Sequence, residues 1–235
     1  FVSLERSEVE KDLSRFKDAL AREVYHLEQI SGDWAAWDDT YQFVQDRNQA
    51  FLKANVDWPT LEKNSGLNLI LFCSVDGRVI WGEVSDSTKN GKMTLADLKI
   101  DFRAQHAYLL AHSSLESKLA GIVLTGCGPM LISSRPVLKT DGCGPFNAVL
   151  VMGRILSRPV LETLAEQTKV SFQAKNLQDG PLTLQEEQAL AQLAGSELVV
   201  EETGPDHLNG YAVVKDLRGA PALLLKASIA RVIMR

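Results

Sequence analysis

The first thirty residues carry an apolar heptad, and neither glycine nor proline interrupts the chain before Gly32. Two apolar columns repeat every seven residues: Val2, Val9 and Phe16, and, four residues further on, Leu13, Leu20 and Leu27. This pattern predicts one continuous helix over residues 1–30, about 45 Å long. Two uses of its apolar face remain open. The helix could pack on its own core, or it could be the seam of a homodimer.

The segment Gly32–Tyr41 reads GDWAAWDDTY and is rich in tryptophan and aspartate. Residues three, four and seven positions apart share a helix face, and four side chains have this spacing: Trp34, Trp37, Asp38 and Tyr41. One face therefore combines aromatic surface with a carboxylate. It could be core, with the aspartates as caps or ion-pair partners, or it could form the wall of a ligand pocket.

Beyond the aromatic segment, the pattern predicts a helix through Phe51. A break is expected at the Asp-Trp-Pro sequence of residues 57–59, because proline disfavours helix in the residue before it. The apolar pattern then changes to that of strands. Leu67–Val75 and Arg78–Val84 are expected to form a hairpin, joined by a two-residue turn at Asp76-Gly77.

The rest of this first module is predicted from one capping signal and three apolar runs. Thr94 and Asp97 resemble the capping box of a helix that reaches Ala111. Three strands are expected after this helix, over residues 120–125, 130–138 and 146–155. The first module would thus be an antiparallel sheet, with its elements in the order β-β-α-β-β-β.

The segment after residue 158 repeats part of this order, a strand, a helix and three strands, without visible sequence identity. A helix is expected over residues 160–168, a short strand over 169–174, and a second helix from the capping box at Thr183–Glu186 to Gly195. Strands are expected over residues 197–202, 210–217 and 222–229. The predicted fold class is α+β: a long N-terminal helix followed by two modules, each an antiparallel sheet with helices. The expected domains are residues 1–60, 61–158 and 159–235.

Composition and motifs exclude several classes of function. A net charge of −5 without a basic run argues against nucleic acid as a partner. No apolar run approaches the ~20 residues of a membrane span. The chain has no catalytic motif of the GxSxG, HExxH, Walker or GxGxxG type, so we expect neither an enzyme nor a cofactor. Both ends of the chain suggest a module from a longer protein.

Cysteine and histidine do not indicate a metal site. The three cysteines and four histidines have no metal-ligand spacing. A disulfide between Cys127 and Cys143 is excluded, because the strand between them would hold them about 30 Å apart. His106 and His112 are six residues apart, which places them on different faces of a helix, and both are expected at the surface.

Two arginines interrupt apolar strands of the first module. Arg135 precedes a proline in SSRP, and Arg154 follows a glycine in MGRI. Because an unpaired charge inside a sheet is strongly unfavourable, each needs a partner, either an aspartate of residues 33–39 or the carboxylate of a bound anionic ligand. Only the first module combines such groups with aromatic side chains, so we place the ligand there. The candidate binding residues are Trp34, Trp37, Asp38, Tyr41, Trp81, Arg135 and Arg154.

Four stretches resemble one family: DWAAWDDTYQFVQDRNQAFLKAN, LNLILFCSVDGRVIWG, SSRPVL and LVMGRIL. The family is the fourth type of CHASE domain, the cyclase/histidine-kinase-associated sensory extracellular domain. Its motifs are matched at Asp33–Phe43, Arg135-Pro136 and Gly153-Arg154, and the order agrees across most of residues 1–165. PAS-like or Cache-like sensor modules agree with the predicted order of elements, with the first module expected to be membrane-distal and the second membrane-proximal. The resemblance carries nothing over to the C-terminal third.

The resemblance also implies a bacterial receptor that spans the inner membrane and holds this domain in the periplasm. Its cytoplasmic output would most often be a diguanylate cyclase controlling cyclic di-GMP, with a phosphodiesterase or a histidine kinase as alternatives. The expected function is to bind an unknown small ligand and to pass a shift of the N-terminal helix to that output. The alternative is a dimerisation and spacer domain without a small-molecule ligand. A pocket with an unpaired polar group would favour sensing, and a packed, charge-paired interior would favour the spacer.

Overall fold

The computed structural model describes residues 2–87, 93–168, 172–203 and 207–230. The chain divides into two compact units. One is continuous and covers Val24–Ile155; we call it the N-terminal unit. The other, the C-terminal unit, combines Phe1–Glu23 with Leu156–Arg235. The first residues of the chain therefore group with its C-terminal part, whereas the sequence pattern treated residues 1–60 as a segment of its own.

Helix α1 extends over Val2–Ala35, so the continuous helix predicted from the heptad is confirmed over its described part. The helix passes through Gly32, where the sequence pattern ended. It stops where the chain becomes extended, since Ala36 forms a β-bridge with Leu138 and Trp37 has φ −137° and ψ 132°.

The apolar face of α1 is buried within the single chain. Five of its heptad residues are at most 5% exposed: Val9, Leu13, Phe16, Leu20 and Leu27. Of the two uses that the heptad left open, this burial favours packing of α1 on its own core. A dimer seam would leave these residues exposed in one chain. Homodimerisation through α1 stays a prediction, and it would need the remaining faces of the helix.

Three short helices follow: α2 over Asp38–Asp46, α3 over Gln49–Asn55 and α4 over Trp58–Ser65. The single helix expected through Phe51 is therefore wrong, whereas the expected break is present slightly earlier than residues 57–59, at Val56 and Asp57. Arg47 takes a left-handed conformation (φ 55°) that ends α2. The Asn48 side chain then accepts the N–H of Phe51 at 2.8 Å and caps α3. Pro59 lies in the first turn of α4, where its missing N–H costs little, so it begins a helix.

The N-terminal unit has one sheet with these strands: Leu69–Ser74 (β1), Val79–Val84 (β2), Leu119–Thr125 (β3), Gly128–Pro136 (β4) and Ala148–Ile155 (β5). All pairs are antiparallel, in the order β2-β1-β5-β4-β3. The predicted hairpin of β1 and β2 is confirmed, but its two-residue turn is wrong. The N–H of Gly77 donates to the carbonyl of Ser74 at 2.9 Å, and Gly77 has φ 83°. The turn is therefore a three-residue loop closed by a left-handed glycine.

The helix expected over residues 94–111 is also wrong. The structure has two separate turns of 3₁₀ helix there, Leu95–Leu98 and Ala107–Leu110. The capping contact itself is present, since the Asp97 carboxylate accepts the N–H of Thr94 at 2.7 Å. Lys99 then adopts φ 52°. This left-handed residue ends the turn before an α-helix can propagate.

The two faces of this sheet have different covers, because successive side chains of a strand point to opposite faces. On one face, which we call the helical face, Ser133 of β4 is hydrogen-bonded to Ser31 of α1 at 2.6 Å. On the opposite face, the hydroxyl of Ser134 donates to the carbonyl of Leu109, within the irregular segment 93–118. The helical face is therefore the one that meets α1.

Besides the first part of α1, the described residues of the C-terminal unit form two helices and four strands: Arg158–Gln167 (α5), Phe172–Asn176 (β6), Leu184–Gln192 (α6), Val199–Glu202 (β7), His207–Lys215 (β8) and Pro221–Ala230 (β9). Its strands are antiparallel in the order β6-β9-β8-β7. This order matches β1-β5-β4-β3 of the first sheet, without a counterpart of β2 in the described ranges. The fold class predicted from the sequence, α+β with a long N-terminal helix and two modules of antiparallel sheet and helices, is therefore confirmed.

Helix α6 begins at the predicted capping box. The N–H of Thr183 donates to the Glu186 carboxylate at 2.7 Å, and the N–H of Glu186 donates to the Thr183 hydroxyl at 3.3 Å. The helix packs into a buried cluster of Ala189, Leu193, Val199, Tyr211 and Leu224. Within the described ranges, no helix has the length and the apolar content that crossing a membrane requires.

Candidate functional site

The aromatic segment belongs to a packed cluster centred on Phe51 of α3. The Phe51 ring stacks on Phe43 with centroids 4.6 Å apart, and it meets Trp37 at 5.9 Å and Trp34 at 6.4 Å. These separations lie within the range of about 4.5–7 Å at which aromatic pairs stabilise each other. Trp34 and Trp37 are half-buried. Their ring contacts are those of core residues, which favours core packing over a pocket wall for this helix face.

The sheet completes the cluster from the other side. The Phe72 ring of β1 lies 5.3 Å from Phe43, centroid to centroid, and Trp81 of β2 lies 6.2 Å from Phe43 and 6.3 Å from Phe72. The cluster therefore fastens α2 and α3 onto the helical face of the sheet. Of the predicted site residues, it brings Trp34, Trp37 and Trp81 together.

Asp38 and Tyr41 hold the loop of residues 139–145 against the start of α2. The Asp38 carboxylate accepts the N–H of Thr140 at 3.0 Å, and the N–H of Asp38 donates to the Thr140 hydroxyl at 3.1 Å. The Tyr41 hydroxyl donates to the carbonyl of Pro145 at 3.2 Å. Asp38 is exposed, so the contacts that it makes here fix a surface loop.

The ion pair expected between a strand arginine and an aspartate of residues 33–39 is wrong. Asp33, Asp38 and Asp39 are all exposed. In the described part of the chain, none of the three forms an ion pair with Arg135 or Arg154. The physical reason is that a new helix begins at Asp38, so two of the aspartates lie in its first turn. Negative charge is favourable there and needs no arginine.

Arg135 is half-buried at the helical face and contacts α1. Its Nη2 donates to the carbonyl of Glu28 at 3.3 Å, and the guanidinium lies next to Gly32. Its Nε is buried and has no hydrogen-bond partner among the described residues. No carboxylate from those ranges is ion-paired with it. A guanidinium carries several N–H donors in a rigid fork. Arg135 therefore retains N–H donors that form no hydrogen bond with the described residues.

Arg154 lies on the same face but at a distance from Arg135. It stands opposite Leu131 on β4, four residues before Arg135, which separates the two backbones by roughly 13 Å. The Arg154 guanidinium packs against Gly66, where a Cβ atom would collide with it. The structure therefore does not bring the two predicted arginines into one site.

The two histidines expected at the surface are buried or half-buried, so that expectation is wrong. His106 is 8% exposed. His112 is held by two serines, with Nδ1 3.0 Å from the Ser117 hydroxyl and Nε2 3.0 Å from the Ser134 hydroxyl. Burial lowers the pKa of His112, and the nearby charge of Arg135 lowers it further. The expectation is wrong because the segment between the two histidines forms only a short 3₁₀ turn, Ala107–Leu110, and no α-helix.

The C-terminal unit contains a cavity of about 620 Å³ between α5, β6, β9 and the start of α6. Three buried apolar side chains line it: Leu161, Ala165 and Leu224. At its wall, Lys175 and Glu186 form an ion pair with N and O atoms 2.8 Å apart. We expected no binding role for this unit, because it has few aromatic residues. The walls of the cavity come from segments far apart in the chain, and a pattern within one segment cannot predict such a cavity.

The cysteines are free and lie in three different environments. Burial raises the pKa of the Cys73 thiol to about 12. Cys127 Sγ lies 3.4 Å from the carbonyl of Asp97, and Cys143 is exposed. Across the described ranges, no three side chains of His, Cys, Asp or Glu are grouped closely enough to hold a metal ion.

Comparison with known proteins gives a family match and a sequence relative. The family model of the CHASE4 domain matches residues 19–175. The chain is 25% identical over 214 residues to the methanogenesis regulatory histidine kinase FilI of Methanothrix harundinacea (strain 6Ac). That alignment covers 90% of this chain and 23% of FilI, so the chain spans less than a quarter of its relative.

Solved structures share the fold along nearly the whole chain. The extracellular domain of vpHK1S-Z8 has a TM-score of 0.62 at 14% identity, and the match covers 97% of this chain and 96% of that domain. The periplasmic domain of Vibrio cholerae LuxQ has a TM-score of 0.59 at 10% identity, with coverages of 95% and 100%. A domain assigned to the sensory box/GGDEF family, from Vibrio parahaemolyticus, has a TM-score of 0.59 at 13% identity, with coverages of 96% and 97%.

At these identities the structural likeness concerns the fold alone, whereas the family match is based on the sequence itself. The matched range, residues 19–175, covers more than half of the chain. It includes the aromatic segment, both strand arginines and the strands between them, which are the residues that carried the resemblance in the sequence. The chain therefore belongs to the CHASE4 domain family, and it is a sensory domain.

Proposed function

We propose that the chain is the periplasmic sensory domain of a transmembrane receptor, and that it binds a small anionic ligand at Arg135. Membership of the CHASE4 family supports the sensory role. The observation that carries the ligand proposal is the half-buried guanidinium of Arg135, whose Nε has no hydrogen-bond partner among the described residues. A charge removed from water without a counter-charge is unfavourable. A ligand carboxylate or phosphate would supply that charge and bind in the geometry of the guanidinium fork.

The contact of Arg135 with α1 gives binding a route to the long helix. In the described state, Nη2 shares the Glu28 carbonyl with the Ser31 hydroxyl, which donates to it at 3.1 Å. An anion that recruits the guanidinium competes with this carbonyl and weakens the attachment of Arg135 to α1. The same stretch of helix is held by Lys118, whose Nζ lies 3.4 Å from the Glu28 carboxylate. The ligand would thus favour a second packing of α1, as a two-state switch requires.

The aromatic residues have a supporting part in this proposal. Trp37, Tyr41 and Trp81 were predicted to line the ligand pocket, and their described contacts are with other aromatic rings and with a loop. This packing favours the alternative function, a dimerisation and spacer domain without a ligand. The orphan donors of Arg135 favour sensing. Because a buried donor without a hydrogen-bond partner needs an explanation and a packed core does not, we rank sensing first.

The cytoplasmic output has two candidates. The family resemblance favours a diguanylate cyclase that controls cyclic di-GMP. The relative FilI is a histidine kinase, which favours kinase output in the receptor of this chain. Full-length receptor in membranes separates the two: a cyclase converts GTP to cyclic di-GMP, and a kinase transfers phosphate from ATP to its own histidine. In either case the sensory domain would act through the position of α1.

Homodimerisation through α1 remains part of the proposal. Since the heptad residues are buried in the single chain, the dimer would use the exposed side of the helix, which includes Tyr25 at 56% exposure. Sedimentation of the chain over a concentration series measures the association. We expect Tyr25→Glu to weaken it while leaving the fold intact. Association that is unchanged in this variant would exclude this side of α1 from the interface.

Thermal unfolding of the 235-residue chain tests the ligand proposal, because a ligand that binds only the folded state raises its midpoint. The probes are phosphate and a panel of small mono-, di- and tricarboxylates. We expect at least one probe to raise the midpoint of the wild type and to lose its effect in Arg135→Gln. The matched control is Arg78→Gln, since Arg78 is exposed and is ion-paired with its near neighbour in sequence, Asp76. The absence of any probe effect on the wild type, or the survival of every probe effect in Arg135→Gln, contradicts the proposal.

A further inference from the structure

We propose that the cavity of the C-terminal unit is a second ligand site, and that it takes a small organic monocarboxylate. This site does not involve Arg135 and stands independently of the function proposed above. Its volume of about 620 Å³ lies within the usual range of small-molecule pockets, about 300–1,000 Å³. Some charges inside the cavity are already neutralised by neighbouring groups, and one is not.

The cavity has an apolar wall that suits a short hydrocarbon body. Leu161 and Ala165 come from α5, and Leu224 comes from β9; they are 2%, 8% and 1% exposed. Burial of a hydrocarbon group against them is favourable in proportion to the apolar ligand surface removed from water. A ligand with only polar groups would leave this wall without a partner.

One of the two lysines in the cavity is already paired. Lys175 Nζ donates to the Glu186 carboxylate at 2.8 Å and to the carbonyl of Pro181 at 3.1 Å. The Asn176 side chain is also engaged, since it donates to Asp179 at 2.7 Å and accepts the N–H of Gln178 at 2.9 Å. These groups hold one another in place and offer little to a ligand.

Lys226 is the lysine without a carboxylate. It lies on β9 opposite Gln173 of β6 and Tyr211 of β8, so its side chain is on the face of the sheet that lines the cavity. Its Nζ lies 5.9 Å from the centroid of the Tyr211 ring, near the outer limit of a cation–π contact. No carboxylate of the described ranges is ion-paired with it. A ligand carboxylate would therefore meet a positive charge that lacks a counter-ion.

The rim of the cavity carries the opposite charge. Glu162, Glu166 and Asp179 are all exposed there. Glu162 is neutralised by Arg158, with N and O atoms 2.8 Å apart, but Glu166 has no described cation as a partner. A second carboxylate on the ligand would lie near these acids and be repelled by them. This arrangement selects one carboxylate at Lys226 and an uncharged remainder.

Butyrate and its uncharged isostere butyramide test the site, because they differ only in the group that should meet Lys226. Binding to the 235-residue chain is followed by calorimetry and by the thermal unfolding midpoint. We expect butyrate to bind and butyramide not to bind measurably. Lys226→Met keeps the length of the side chain and removes its charge. It should lower the affinity for butyrate by at least about tenfold, because a charge-assisted hydrogen bond is lost. Lys215→Met is the control, since Lys215 is an exposed lysine on β8 outside the cavity.

Four results would overturn the inference: no butyrate binding at millimolar concentration, equal binding of butyramide, full binding to Lys226→Met, or equal weakening by Lys215→Met. If Lys226→Met fails to fold by circular dichroism, Lys226→Gln replaces it with the same expectation. Arg135→Gln should leave butyrate binding unchanged. If it abolishes binding and Lys226→Met does not, the carboxylate binds in the N-terminal unit. This second site is then wrong, while the ligand site at Arg135 stands.

Succinate tests the role of the rim. The wild type should bind succinate more weakly than butyrate, because the second carboxylate of succinate would lie near Glu166. Glu166→Gln removes the negative charge of Glu166 and should reduce the difference in affinity between butyrate and succinate. The preference for monocarboxylates is overturned if the wild type binds succinate as tightly as butyrate. It is also overturned if the difference in affinity between the two acids is unchanged in Glu166→Gln.

Discussion

Val9 of α1 lies directly against Gly210 of β8, where a Cβ atom on the glycine would overlap a methyl group of the valine. Both residues are buried. The glycine thus lets the long helix approach the sheet of the C-terminal unit at van der Waals distance. This contact explains why residues 1–23 group with that unit, and it makes Gly210 the position at which the packing of α1 can be tested.

Gly210→Ala should destabilise the domain by about 1–3 kcal/mol, the usual cost of inserting a methyl group into a packed interior. Chemical denaturation measures the change. Gly195→Ala is the control, because nothing lies within 4 Å of a Cβ there, and its effect should stay within about 0.5 kcal/mol. Adding Val9→Ala to Gly210→Ala should recover part of the loss, since the two side chains compete for one space. Equal effects of the two glycine variants would mean that α1 does not lie on β8.

Phe51→Ala should cost about 3–5 kcal/mol, the range for a large aromatic residue removed from a core. The Phe51 ring contacts four other rings: Trp34, Trp37, Phe43 and Phe72. Urea denaturation followed by tryptophan fluorescence reports the loss directly, because two of these neighbours are tryptophans. Tyr25→Ala, which removes an aromatic ring that is 56% exposed, should change stability by less than about 0.5 kcal/mol. A similar small change for Phe51→Ala would mean that the cluster is loosely packed.

Local patterns predicted the elements whose geometry is local. The heptad predicted α1 because the 3.6-residue period is a property of the helix itself, and short apolar runs between turn residues predicted the strands of both sheets. The failures lie where one residue overrides the pattern. Lys99 at φ 52° stops a helix after a correct capping contact. Arg47 and Asn48 end one helix and begin another within an unbroken apolar pattern.

The sequence identified residues of the candidate site, but it did not predict which residues they contact. The aromatic spacing identified Trp34 and Trp37, but core and pocket walls have the same spacing. Arg135 was recognised as a charge in a sheet, yet its described partner is the main-chain carbonyl of Glu28 on a distant helix. Pairing with aspartates was an inference from charge alone. The cavity at Lys226 depends on how α5, α6 and two strands meet, and such long-range geometry leaves no periodic signal.

Asp38→Ala should destabilise by about 0.5–1.5 kcal/mol, the net value of an exposed hydrogen bond. Its carboxylate accepts the N–H of Thr140 at 3.0 Å and thereby holds the following loop. Asp39→Ala is a matched control, because Asp39 is also exposed and shares the first turn of α2; it should change stability by less than about 0.5 kcal/mol. Denaturation midpoints measure both. A loss of about 3–5 kcal/mol for Asp38→Ala would instead indicate a buried ion pair.

His112 should make the domain less stable in mild acid. Its pKa lies below the ordinary value of 6.5 because burial, and then the charge of Arg135, disfavour the imidazolium in the folded chain. The unfolded chain therefore binds the proton at higher pH than the folded chain does. The stabilisation is fully present above the unfolded pKa of about 6.5 and is lost as the pH falls toward the folded pKa.

Urea midpoints at about pH 7.5 and pH 5.5, on either side of the unfolded pKa, measure this loss. His112→Gln keeps a hydrogen-bonding side chain without a titrating ring, so its midpoint should fall less between the two pH values than that of the wild type. His26→Gln is the control, because His26 is exposed on α1, and it should keep the wild-type pH dependence. The assignment to His112 fails if His112→Gln and the wild type respond equally to pH.

The three cysteines should differ in their reaction with iodoacetamide. The thiolate is the reactive form, and burial raises the pKa of the Cys73 thiol to about 12, so at pH 8 only about one Cys73 in ten thousand would be ionised. Cys143 is exposed and should react first in the folded chain. Peptide mapping by mass spectrometry measures each rate. In urea the rates should converge, which is the internal control. Native labelling of Cys73 as fast as that of Cys143 would show that β1 opens to solvent and that the centre of the first sheet is not the stable core described above.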